Sequence, residues 1–108
     1  MMGGSAIQDL IGTHGAEIAE ICQRFHVRRL DVFGSAVRED FDPARSDLDF
    51  VVEFEREHPL GGLEIYFGLK EALEALFGRK VDLVSQGMVQ NPYLRQSIDE
   101  SRETVYAA

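Results

Sequence analysis

Leu48, Phe50, Val52 and Phe54 recur at every second position and leave Asp47, Asp49, Val51 and Glu53 between them. Side chains two apart on a strand share a face, so this segment reads as a β-strand with one apolar face and an acidic start. The acidic start sets a constraint of its own. Asp47 and Asp49 project into one small volume, where two like charges repel unless a cation or a proton intervenes. A fold built around this strand has to cover the apolar face and supply the carboxylates with something to bind.

The flanking sequence supplies the covering elements. In HVRRLDVFG, residues 26–34, Leu30 and Val32 alternate as in a half-buried strand that ends at Gly34. Residues 6–25 place Ile7, Leu10, Ile11, Ile18, Ile21, Cys22 and Phe25 near helical spacing, although Gly12 and Gly15 interrupt the propensity. After the turn-rich HPLGG, the spacing of Ile65, Leu69, Ala72, Leu73 and Leu76 predicts a helix that Gly78 would end. KVDLVS then reads as a short strand with Asp82 between Val81 and Leu83. In the tail, Asn91 and Pro92 suit a helix start, and Leu94, Ile98 and Val105 are expected to continue one helical stripe. Tyr66 and Phe67 lie off the main stripe of their helix, where they serve either packing or an interface with a partner protein or a second copy.

With 108 residues, 44% of them hydrophobic, the chain suits one domain spanning 1–108. Its core is small, which leaves room for a partner or a homo-oligomeric interface. Nineteen acidic residues against eleven Lys plus Arg give a net charge of -8, which argues against general nucleic-acid binding through phosphates. No stretch approaches the ~18 apolar residues of a membrane span, and the N-terminus lacks a basic, apolar signal segment. No membrane association and a cytoplasmic location are therefore expected. The single cysteine, Cys22, falls in an apolar helical pattern and is expected to be buried.

The carboxylates suggest a chemistry. A hard divalent cation relieves the repulsion between Asp47 and Asp49, and Mg2+ suits them because it takes oxygen ligands while keeping water or phosphate oxygens in its shell. Asp82, on another predicted strand, is the natural third carboxylate if the two strands are neighbours. Gly34 and Ser35 offer the complement: glycine admits a polyphosphate close to the backbone, and a following turn or helix start supplies N–H donors beside the serine hydroxyl. An anion cradle facing aspartate-held metal fits phosphoryl or nucleotidyl transfer. The plainer alternatives are a solvated polar strand face for Asp47, Asp49 and Asp82, and a turn glycine with a helix-capping serine for Gly34 and Ser35. Arg38 has a surface salt bridge as its plain reading.

The combined pattern, FGSAVREDFDPARSDLDFVVEF followed by KVDLV, resembles the minimal nucleotidyltransferases (MNT) of the DNA polymerase beta superfamily, which commonly pair with HEPN proteins. The resemblance runs from the first helix through the terminal NPYLRQSIDESRETVYA. It implies an α/β (α+β) polymerase-beta-like fold, a mixed sheet with flanking helices, using Mg2+ and a nucleoside triphosphate. On this sequence it implies that Gly34 and Ser35 touch the distal phosphates and that Asp47 and Asp49 hold Mg2+. Asp82 would hold a second ion and assist the acceptor hydroxyl. Many relatives carry arginine directly after Gly-Ser and glycine after the next arginine, where this chain has Ala36 and Glu39. Arg38, retained from the usual pattern, would offset the lost positive charge.

The function this resemblance implies is that of an antitoxin that transfers AMP from ATP to a hydroxyl, a tyrosine in the leading reading, of a HEPN-domain ribonuclease toxin. The main alternative is a catalytically weak antitoxin that neutralises its partner by forming a complex. Transfer to a small molecule such as an aminoglycoside is a third reading, disfavoured because no acceptor domain is evident.

Overall fold

The computed structural model describes residues 11–34, 48–56 and 61–108. Ser35, Arg38 and Asp47, together with Ala36 and Glu39, lie outside them. The described elements are α1 (Gly15–Arg24), β1 (Val27–Phe33), β2 (Leu48–Phe54), α2 (Gly62–Phe77), β3 (Val81–Ser85), a short 3-10 turn (Gln86–Met88), α3 (Pro92–Ser101) and β4 (Glu103–Ala107).

The four strands form one mixed sheet in the order β3-β2-β1-β4. β1 is antiparallel to both β2 and β4, whereas β2 and β3 run parallel. A parallel pair needs a crossover, and α2 supplies it. The main core lies on the face covered by α1 and α2. There Ile18, Ile21 and Cys22 of α1 and Leu69, Leu73 and Phe77 of α2 meet Leu30, Val32, Leu48, Phe50, Val52, Val81 and Leu83 of the sheet. Fully burying a side chain of this size stabilises the fold by about 1.5–3 kcal/mol, so the alternation in β2 is a strong determinant of which face turns inward.

The other face is covered as well. Phe33 and Val51 pack with Val89 and Ile98, so the central strand is buried on both sides in its middle. Val27 and Leu30 lie an odd number of residues apart yet share the main core, because a bulge between Val27 and Arg29 resets the alternation.

The helical spacing read over 6–25 breaks where the two glycines weaken it: residues 11–13 are helical and α1 begins at Gly15, with the break at His14, while Ile7 and Leu10 lie outside the described residues. One expectation changes in the tail. The tail helix ends at Ser101, so Val105 does not continue the stripe of Leu94 and Ile98. Arg102 turns extended at ψ 137°, and Val105 lies on β4. The cause is local preference together with an available edge: Thr104, Val105 and Tyr106 favour a strand, and β1 offers its unpaired side for hydrogen bonding.

Gly78 ends α2 in the left-handed conformation at φ 65°, and the Asn91 side chain accepts hydrogen bonds from the Tyr93 and Leu94 amides at the start of α3, as the sequence suggests. Phe67 is 51% exposed and meets Tyr66 edge-on, with ring centroids 5.1 Å apart. No helix among the described residues is long and apolar enough to cross a membrane.

Candidate active site

Strand register brings the acidic residues together. Phe33, the last residue of β1, pairs with Asp49 on β2, and Asp49 pairs in turn with Asp82 on β3. Partners in register point to the same face, and neighbouring strands lie about 4.8 Å apart, so the two carboxylates stand side by side. Both line a cleft of about 430 Å³ together with Gly34, Tyr66, Lys70 and Ser97.

Gly34 is indispensable here for two separate reasons. Its φ is +74°, a conformation that L side chains rarely adopt, and a Cβ on it would lie 2.8 Å from Asp49 Oδ2. The glycine thus turns the chain out of β1 while leaving the Asp49 carboxylate its space. Its amide is already engaged: Gly34 N–H donates to Ser101 Oγ at 2.8 Å, and Ser101 Oγ–H donates to the Ser97 carbonyl at 2.7 Å. Gly34 therefore contributes room and direction, and α3 holds the turn in place.

A buried charge cluster ties the same region together. Asp31 is 0% exposed and accepts from Arg29 Nε at 3.0 Å and from Arg102 Nε at 2.6 Å. Arg102 Nη2 also donates to Gln86 Oε1 at 3.0 Å. Burying a carboxylate is tolerable because both oxygens receive charge-assisted bonds. The cluster joins β1, the 3-10 turn and the end of α3, one residue from Ser101.

Tyr66 and Lys70 come from α2. The Tyr66 hydroxyl donates to the Leu83 carbonyl on the edge strand β3. Lys70 follows one turn later on the same side of the helix and is half-buried in the cleft wall.

Of the residues singled out from the sequence, Gly34, Asp49 and Asp82 converge on this cleft. Ser35, Arg38 and Asp47 lie outside the described residues. Among the described residues no cluster of three His, Cys, Asp or Glu side chains stands ready to hold a metal ion. The described donor set is the Asp49 and Asp82 pair, all-oxygen and open to the cleft, which fits a hard cation such as Mg2+ that completes its shell with water and phosphate oxygens. Sequence reasoning missed Lys70, whose only signal was its place four residues after Tyr66 beside the apolar stripe, and Ser101, which carried none.

The nucleotidyltransferase domain pattern matches residues 16–105. The chain belongs to the nucleotidyltransferase domain family. This nucleotidyltransferase is 36% identical over 100 residues to the protein adenylyltransferase MntA of Thermococcus cleftensis, spanning 93% of this chain and 91% of that one. Its fold matches a solved structure described as a minimal nucleotidyltransferase with a TM-score of 0.71 and 30% identity, over 95% of this chain and 98% of that one. It also matches, with a TM-score of 0.63 over 91% of this chain and 73% of that one, the complex of a tri-AMPylated Shewanella oneidensis HEPN toxin with its MNT antitoxin. At 16% identity this last likeness concerns the fold alone. The polymerase-beta-like arrangement expected from the sequence, a mixed sheet with flanking helices, is borne out.

Proposed function

We propose that this nucleotidyltransferase transfers AMP from ATP to a tyrosine hydroxyl of a HEPN-domain toxin and so acts as the antitoxin of the pair. The observation that carries the reading is the parallel register of Asp49 and Asp82, set beside a left-handed glycine that keeps the Asp49 carboxylate clear. The name of the Thermococcus cleftensis relative and the AMPylated toxin in the Shewanella complex support the choice of donor and acceptor.

In this reading Asp47, Asp49 and Asp82 hold Mg2+, which would neutralise the triphosphate and favour departure of pyrophosphate. The chain's own residues do the rest. Gly34 gives the distal phosphates a close approach to the backbone, and Ser35 and Arg38 contribute a hydroxyl and a positive charge to them. Asp82 is exposed and accepts the acceptor's proton from the open side of the cleft. The acceptor oxygen then attacks the α-phosphorus and pyrophosphate leaves. The reaction belongs in the cytoplasm, where ATP is abundant.

Incubation of the purified chain with α-labelled ATP, Mg2+ and the HEPN-domain protein encoded beside it tests the proposal. Label on a tyrosine of that protein, abolished by chelator, is expected. A tight complex that never becomes labelled would favour the alternative, neutralisation by binding alone. ATP affinity should also depend on Mg2+, since bare carboxylates repel a triphosphate. Equal affinity by calorimetry in Mg2+ and in excess chelator would refute metal bridging.

A further inference from the structure

The cleft carries its charges in a spatial order. Across its floor, Gly34 follows β1, Asp49 lies on β2 and Asp82 on the edge strand β3. The wall at the β3 end comes from α2, because Tyr66 bonds the Leu83 carbonyl there and Lys70 lies one turn further along the same side of the helix. Lys70 and Gly34 thus stand at opposite ends of the row of carboxylates. Asp49, Asp82 and Lys70 are the charged groups lining this cleft among the described residues.

Lys70 is half-buried, and among the described residues it makes no ion pair, although two carboxylates line the same cleft and the chain carries a net charge of -8. An ammonium that makes no ion pair in a cleft lined by two carboxylates keeps its charge available to a bound group. Its position is explained if the missing partner is a substrate group.

We infer that Lys70 is a further binding residue of the proposed transfer reaction, contacting the acceptor end of the reacting complex and stabilising negative charge as it develops on the acceptor oxygen. This inference rests on the function proposed above. With the distal phosphates at Gly34 and Ser35, an in-line displacement puts the leaving pyrophosphate at the Gly34 end and the acceptor at the Asp82 and Lys70 end. During the step the acceptor oxygen bonds to the α-phosphorus and its proton passes to the Asp82 carboxylate. The bond from phosphorus to the bridging oxygen breaks, and pyrophosphate leaves with that electron pair. A fixed cation beside the acceptor oxygen lowers the barrier, because it gains most from the charge present in the transition state.

The test compares the unchanged chain with Lys70→Ala, Lys70→Gln and Lys70→Arg, using the HEPN-domain acceptor protein prepared with tyrosine or with 3-fluorotyrosine. Lys70→Ala and Lys70→Gln should lower turnover by about tenfold or more, leave the Kd for Mg-ATP within about twofold, and be largely rescued by Lys70→Arg. The deficit should shrink on the fluorinated acceptor, whose more acidic phenol needs less help from a cation. A purely structural lysine would give equal deficits on both acceptors, and that result would overturn the inference. So would a loss carried mainly by Mg-ATP affinity, which would put Lys70 on the nucleotide instead. Failure of the unchanged chain to label either acceptor would overturn the proposed function itself, and this inference with it.

Discussion

Gly34 and Asp49 are fitted to each other so closely that a single methyl group on the glycine would sit 2.8 Å from the carboxylate oxygen Oδ2. Gly34→Ala should therefore damage the site twice. The left-handed φ of +74° costs an alanine about 1–2 kcal/mol, and the Asp49 side chain must move away to accommodate the methyl. We expect a stability loss of about that size in urea titration, and a fall in transfer of about tenfold or more, beyond what unfolding explains. A folded variant with wild-type transfer would show that the carboxylate position is not critical.

Asp49→Asn separates charge from shape at the same position. In the parallel register, Asp49 stands beside Asp82, so removing one charge relieves repulsion while keeping the side chain's size. Transfer should fall to background, whereas unfolding stability without metal should stay within about 1 kcal/mol of the parent or rise. Activity and chemical denaturation measured on one preparation decide the matter. Loss of activity in proportion to global unfolding would remove the functional role assigned here.

The two carboxylate positions illustrate what a sequence can disclose. The period-two run from Leu48 to Phe54 reveals a strand and its inward face, because burial of alternate apolar residues outweighs other local preferences. Asp82 was recognisable as a candidate, yet its pairing with Asp49 depends on how the α2 crossover sets the parallel register, which no local pattern encodes. Lys70 looks like any helix-surface cation until β3 is seen to bring its end of the cleft beside Asp82. Val105 fits a helical stripe with Leu94 and Ile98 by spacing alone, and the strand preference of Thr104, Val105 and Tyr106 prevails only when the edge of β1 is free to receive it.

Asp31 was equally hidden. A carboxylate in the buried part of β1 becomes tolerable through Arg29 beside it together with Arg102, 71 positions away in sequence. Arg102→Ala leaves the fully buried carboxylate with Arg29 alone, and losing the charge-assisted bond to its second oxygen costs about 1.5–3 kcal/mol. Because Arg102 adjoins Ser101, which receives the Gly34 amide, the variant should also loosen the turn at the cleft. We expect a large drop in the urea midpoint and faster hydrogen exchange at the Gly34 amide. Recovery of both in the double variant Asp31→Asn, Arg102→Ala would identify the stranded charge as the cause. If Arg102→Ala alone costs less than about 1 kcal/mol, the cluster is not a clasp.

Cys22 provides a stability signature at alkaline pH. It is fully buried in the core formed by α1, α2 and the sheet, and burial alone pushes its thiol up from 9.0 to about 12. Between these values the unfolded chain releases the thiol proton and the folded chain keeps it. Stability from this group is thus complete below pH 9 and falls as pH rises towards 12, by at most about 1.4 kcal/mol per unit. Urea midpoints measured from pH 8 to 10.5 should fall more steeply for the parent than for Cys22→Ala, which has no thiol to ionise. The cavity left by the substitution shifts the variant's whole curve but not its slope. Iodoacetamide at pH 8 should react with Cys22 only as fast as the protein unfolds. Parallel curves for the two proteins, or rapid labelling of the folded chain, would mean that the thiol is more accessible than its place in the core requires.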